Sequence, residues 1–317
     1  MPLYRPFFDF MKMNKKTVSV LLLAISAFWG ITTFAQAVNP IKAPVYYSVA
    51  DALKATGVTQ LNLRDRHYFS VPNEVGQLKE LRFINLMGNN LEHWDEPLFE
   101  LTHLEILNLQ GNTLKYIPSE IGVFKSLQAL NLSDNDIATI PDEIEKLKKL
   151  KSLHLSENLI TSLPTDIGKC SNLEVLTVDN NQLSYLPQSI SQLKKLRTLH
   201  IGRNQFNEFD NEWLKLKSLT DLNIEYNQLR NFPKTLGSLK QLKTIMADHN
   251  KLTALPDDIT KLEVLEMLSL AHNSLTQLPK EIANMKGLRT LILTGNPIGE
   301  AEKNRIKLAL PDCAVYF

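Results

Sequence analysis

Apolar residues recur along this chain on a fixed 23-residue period, from Val58 to about Gly299. The stretches "LRFINLMGNNL" from Leu81, "LEILNLQGNTL" from Leu104 and "LQALNLSDNDI" from Leu127 share one pattern, L-x-x-L-x-L-x-x-N-x-L. It continues from Leu150, Leu173, Leu196, Leu219, Leu242, Leu265 and Leu288 without an insertion. One step back, "VTQLNLRDRHY" at Val58 keeps the apolar places and puts Arg66 where the Asn should stand, which makes eleven copies, the first imperfect. Counting positions from the first residue of each copy, Leu at 4 and 6 flanks one outward residue, the period of two of a short strand. The second half reads x-x-L-P-x-x-I-x-x-L, as in "ATIPDEIEKL" and "SYLPQSISQL". Pro suits such a return segment because it fixes φ and needs no partner for a backbone N–H. Asp95 and Asp210 replace it in two copies.

One coil of this kind cannot bury its own apolar row. Stacking covers each row with the next, so stability becomes a sum of nearest-neighbour terms. Position 9 is an Asn at 89, 112, 135, 158, 181, 204, 227, 250, 273 and 296. There the chain leaves the strand, and an Asn amide can supply donors and an acceptor to backbone groups that have lost their ladder.

These copies resemble leucine-rich repeats of the 23-residue type, and the resemblance covers Val58 to about Gly299. It implies an α/β solenoid, a curved right-handed superhelix with a parallel sheet on the concave face and short helical or irregular segments on the convex face. Residues 58–299 are then the repeats, 38–57 an N-terminal cap and 300–317 a C-terminal cap. In "YYSVADALKATG", Ser48 is a candidate N-cap with Asp51 three residues on and Gly57 as the stop. In the second cap, an amphipathic helix from about Glu300 to Leu310 precedes Pro311 and a final strand, "AVYF". Both caps resemble those of exported bacterial leucine-rich repeat proteins.

The first 37 residues differ in kind. "NKK", the apolar run "VSVLLLAISAFWGITTF" and the triplet Ala35-Gln36-Ala37 make a secretory signal peptide, with Met13 as an alternative start. The rival reading is an uncleaved membrane anchor. Cleavage implies a secreted protein, or a periplasmic or cell-envelope one. It also leaves the mature chain near −2 from a formal +1, which offers no basic excess for a nucleic acid. A membrane enters only if the leader stays.

Catalytic chemistry finds little support. Cys170 stands in the apolar column of Phe124 and Leu147, a core place. Seven scattered His make no H-E-x-x-H, and no Gly-rich phosphate loop, nucleophile elbow or C-x-x-C is present. No cofactor and no catalytic residue is expected. A metal-dependent enzyme built on Asp248, His249 and His272 is the third reading. Neighbouring copies place those two His about 5 Å apart.

What remains is the concave face, whose outward positions 3, 5, 7 and 8 the fold constrains least. Position 8 carries Asp134, Glu157, Asn180, Arg203, Tyr226, His249 and His272, while position 7 carries Asp179, Glu225 and Asp248. These ten form the candidate contact surface for a protein or peptide partner, preferably a basic one. Recognition of a cell-wall or surface glycan is the alternative; few aromatic residues on the face speak for it.

Overall fold

The structure, a computed structural model, describes residues 42–317, so the proposed leader lies outside the described residues. From Ala43 to Phe317 the chain is an α/β solenoid. Positions 3 to 5 of each copy form a three-residue strand, from β1 (Gln60–Asn62) and β2 (Phe83–Asn85) through β11 (Thr290–Ile292), and β12 (Ala314–Tyr316) follows. All twelve lie in one parallel sheet in chain order. Register is kept position for position, with Val175 opposite Thr198 and Thr177 opposite His200. The equal period makes this automatic, since every strand meets a neighbour of the same phase.

Position 4 is fully buried in all eleven copies, as in Leu61, Leu153 and Leu291. The return segments are mostly short 3-10 turns such as Asp142–Lys146 and Gln188–Gln192, each following a Pro in extended backbone. Where Asp replaces Pro the carboxylate supplies its own bond. Asp95 accepts from Val71 N at 2.6 Å and Asp210 from Glu212 N at 2.8 Å. Cys170 is wholly buried, donates to Ile144 O at 3.2 Å, and is pushed by burial to a pKa of about 11. Its thiol fills the core.

The Asn column holds the coils together. Asn181 Nδ2 donates to Leu155 O at 3.0 Å and Val178 O at 3.1 Å, and its Oδ1 accepts from Ile160 N at 2.9 Å. The same pattern recurs at Asn112, Asn135, Asn158, Asn204, Asn227, Asn250 and Asn273. In the first copy, which lacks the Asn, Arg66 N instead donates to Asn89 Oδ1 at 3.1 Å.

Position 5 departs from expectation. Its side chains are buried in most copies rather than free on the surface, as at Asn85, Asn108, His154, His200 and Ser269. Side chains in adjacent strands stand so close that each shields the next. Fold requirements act here too, because Asn85, Asn108, Asn131 and Asn223 each accept from the N–H two residues on, at 3.0–3.1 Å.

At one end of the sheet, α1 (Val49–Leu53) starts where Ser48 Oγ accepts from Asp51 N. It stops at Leu53, short of Gly57, and Tyr46 pairs with β1. Beyond β11, α2 (Glu96–Phe99) of the second copy having been the only other short α-turn in the described repeats, comes α3 (Glu300–Ala309). Glu302 accepts from Leu278 N at 2.8 Å and Arg305 donates to Leu278 O at 3.0 Å, which fastens α3 to the last coils.

Candidate binding face

At position 8 the chain turns out of the strand, and in every copy that turn has left-handed backbone. Gly88, Gly111 and Gly295 have φ of +66 to +76, where Gly is unstrained. The other eight are not Gly, and Arg203, Tyr226, His249 and His272 have φ of 51 to 52. Such a conformation costs a side-chain-bearing residue about 1 kcal/mol or more. The fold does not require these side chains, since Gly serves the same turn elsewhere in the column.

Four of them form a continuous stack. The Arg203 guanidinium lies 3.9 Å from the Tyr226 ring centre. Tyr226 and His249 are 4.1 Å apart and 11° from parallel, and His249 and His272 are 4.3 Å apart and 17° from parallel. The His272 ring in turn lies over Gly295, where an added Cβ would come within 2.5 Å of Nδ1. Stacking of planar groups returns part of the backbone cost. It also covers the ring faces that meet one another. Arg203 and His272 are exposed and Tyr226 is 38% exposed.

Beside the stack, position 7 carries acids that are turned inward. Asp179 accepts from Gly202 N at 2.9 Å and Ser156 Oγ at 3.2 Å. Asp248 accepts from Ala271 N at 2.6 Å and from Ser269 Oγ. The two cases are one device, in which Asp at position 7 reaches the backbone of the next copy where that copy has a small residue. Burial raises the pKa of both above the ordinary carboxylate value, against these hydrogen bonds and the nearby imidazoles. Glu157, at position 8, is raised by burial and by the charges of Asp134 and Asp179, and lowered by Arg203.

Glu225 is shifted furthest, from 4.5 to about 7, by burial first and then by Asp248, with Arg203 opposing and Asp179 adding. Because the folded chain holds this proton more tightly than the unfolded one, stability falls as pH rises from 4.5 through about 7. Glu225→Gln, which mimics the neutral form, is therefore expected to raise stability by about 1 kcal/mol at about pH 8 and to leave it nearly unchanged at about pH 5. Denaturant titrations at the two pH values measure this. Equal effects at both would show that Glu225 ionises as it does in the unfolded chain.

The ten residues singled out in the sequence thus occupy two adjoining columns. Asp134, Glu157 and Asn180 are exposed and continue the row ahead of Arg203. Asp179, Glu225 and Asp248 are half-buried behind it, so the negative cast expected of the middle of the face belongs mainly to Asp134 and Glu157. The supporting residues Gly202, Ser156, Ser269 and Ala271 were not foreseen. The signal for Gly202 and Ala271 is a small residue at position 7 one period after an Asp, whereas Ser156, one period before Asp179, and Ser269, at position 5, carry no such mark. For the metal reading, Asp248 is engaged as described, and the two near-parallel imidazoles direct their in-plane lone pairs side by side rather than toward a common ion. Among the described residues no group of three or more His, Cys, Asp or Glu is placed to hold a metal.

Repeats in fixed register, a one-layer parallel sheet and an Asn ladder define a repeat-solenoid protein. The chain belongs to the leucine-rich repeat family. A "Leucine-rich repeat region" model matches residues 142–251, and a "Leucine rich repeat" model matches 79–137 and 240–298. A leucine-rich repeat protein of Leptospira interrogans is 30% identical over 87% of this chain and 100% of its own, with a TM-score of 0.39. A TDR receptor is 27% identical over 82% of this chain and 47% of its own, TM-score 0.74. The plant peptide hormone receptor RGFR1 in complex with RGF2 is 28% identical over 76% and 43%, TM-score 0.57, so the chain spans less than half of either receptor. A search of curated proteins finds no match.

Proposed function

We propose that this chain is a non-enzymatic binding module that holds a protein or peptide partner on its strand face, with the contact centred on Arg203, Tyr226 and His249. The observation that carries this reading is the stack at left-handed positions. Bulky side chains are kept there at a conformational cost that Gly would avoid, and backbone strain of this kind clusters at functional sites. Arg and Tyr are also the residues most often found at binding hot spots. The likeness to a peptide hormone receptor solved in complex supports a peptide-sized partner.

The exposed row has two halves, acidic at Asp134 and Glu157 and donor-rich from Arg203 to His272. A basic group of the partner belongs over the first half, and acceptors over the second. A sugar ring has little to stack on here, because the inner ring faces already cover one another. The leader supports export, to the medium or the cell envelope. Among the described residues no helix is long and apolar enough to cross a membrane.

The test is a pull-down from the organism's own extract with the native chain and an Arg203→Glu, Tyr226→Ala variant that melts at the same temperature. Partners held by the native chain are expected to be lost by the variant. Equal recovery would sink the central-face proposal.

A further inference from the structure

Each coil closes with a turn at positions 22 and 23, between its return segment and the next strand. In six consecutive turns, from Lys125 to Gln241, these twelve places hold seven Lys, three Ser, one Asn and one Gln, with no acid and no aromatic residue. The seven are Lys125, Lys148, Lys149, Lys194, Lys195, Lys217 and Lys240, and all are exposed. None lies within ion-pair distance of a carboxylate among the described residues, whereas the nearby Lys146, Lys169, Lys215 and Lys261 are all paired. In a chain of formal charge +1 this is segregation of charge, not general basicity.

The band is also fixed in place. Lys195 Nζ donates to Asn172 Oδ1 at 2.6 Å, Asn172 Nδ2 to Lys148 O at 2.7 Å, and Ser218 Oγ to Lys194 O at 2.7 Å. Successive turns are therefore tied one coil apart, about 5 Å. Part of the pattern serves the fold. Lys148 and Lys240 donate to Lys169 O and Lys261 O at the end of the next coil's 3-10 turn, where carbonyls lack helical partners. That role does not extend to Lys125, Lys149 and Lys195, nor does it explain why no acid relieves the repulsion in the row.

We propose that this band binds a linear anionic polysaccharide, at a site separate from the strand face. A single line of cations suits a polymer laid along the coils better than a flat membrane. The Ser, Asn and Gln between the charges offer hydroxyl and amide partners to a hydroxylated chain. The lack of aromatic residues removes the stacking platforms on which a single-stranded nucleic acid relies.

Fluorescently labelled heparin is the probe, titrated with the full-length protein at low and moderate salt. The native protein is expected to bind, with affinity falling steeply as salt rises. Lys125→Ser, Lys149→Ser, Lys195→Ser in one chain is expected to bind about tenfold more weakly and with a shallower salt slope, as fewer counterions are displaced. An Arg203→Glu chain should bind heparin as the native one does, since Arg203 follows its strand, Thr198–His200, and the Lys band lies at the other end of the strands, before them. No native binding, equal binding by the triple variant, or loss with Arg203→Glu would each overturn the assignment. Tighter binding of oligothymidylate or of phosphatidylglycerol vesicles than of heparin would overturn its polymer class.

Discussion

Replacing Gly168 by Ala is expected to destabilise the fold by about 3 kcal/mol, at the upper end of overpacking effects. Gly168 sits in the 3-10 turn Ile167–Lys169, buried against the next coil. A Cβ there would stand 2.1 Å from Ser189 O and 2.8 Å from Ser189 C, both backbone atoms of the neighbouring return segment. Backbone cannot step aside without parting two coils, and parting them opens the Leu columns on either side. Gly122 occupies the same position two copies earlier, yet its nearest neighbour would be Lys146 Cδ at 2.8 Å, part of a flexible side chain. Gly122→Ala should therefore cost less than about 1 kcal/mol. Urea titration of the two variants decides the matter. Similar midpoints for both would show that the return segments are looser than the structure places them.

Asn181→Ala is expected to cost about 2 kcal/mol, chiefly from one group. Ile160 N, which donates to Asn181 Oδ1, would be left buried without an acceptor. The carbonyls fare better, because each is shared. Leu155 O also accepts from Asn158 Nδ2 at 3.0 Å, and Val178 O from Asn204 Nδ2 at 2.9 Å. Removing both Asn158 and Asn181 leaves Leu155 O with neither amide, so the double variant should lose more than the sum of the single ones. Additive losses would show that water or backbone takes over the vacant carbonyl.

Much of this was legible in the sequence because repetition averages out local exceptions. The Leu columns, the Asn ladder, a short strand around positions 4 to 6, which the structure sets one residue earlier, and the core place of Cys170 all follow from one period read eleven times. Position 5 was misread for a geometric reason. Alternation says only that a residue points away from the core, and not that its neighbours one strand spacing away will cover it. The stack from Arg203 to His272 was half visible, as four large side chains in one column. That they lie face to face depends on left-handed backbone, and the clue to that was the Gly at 88, 111 and 295 in the same column. The burial of Asp179 and Asp248 could not be read from their own copies, because the atoms that receive them belong to neighbouring copies.

The unbroken 23-residue period has a consequence for how such a gene changes. Loss or duplication of one whole unit by unequal recombination would return every strand, amide and return turn to an equivalent neighbour. The side chains at the variable positions would meet new neighbours, so that excising residues 204–226 would set Arg203 directly against His249. The scaffold thus keeps its Leu and Asn columns in phase while its recognition row is reshuffled in whole steps, so that a change of specificity need not carry a change of register.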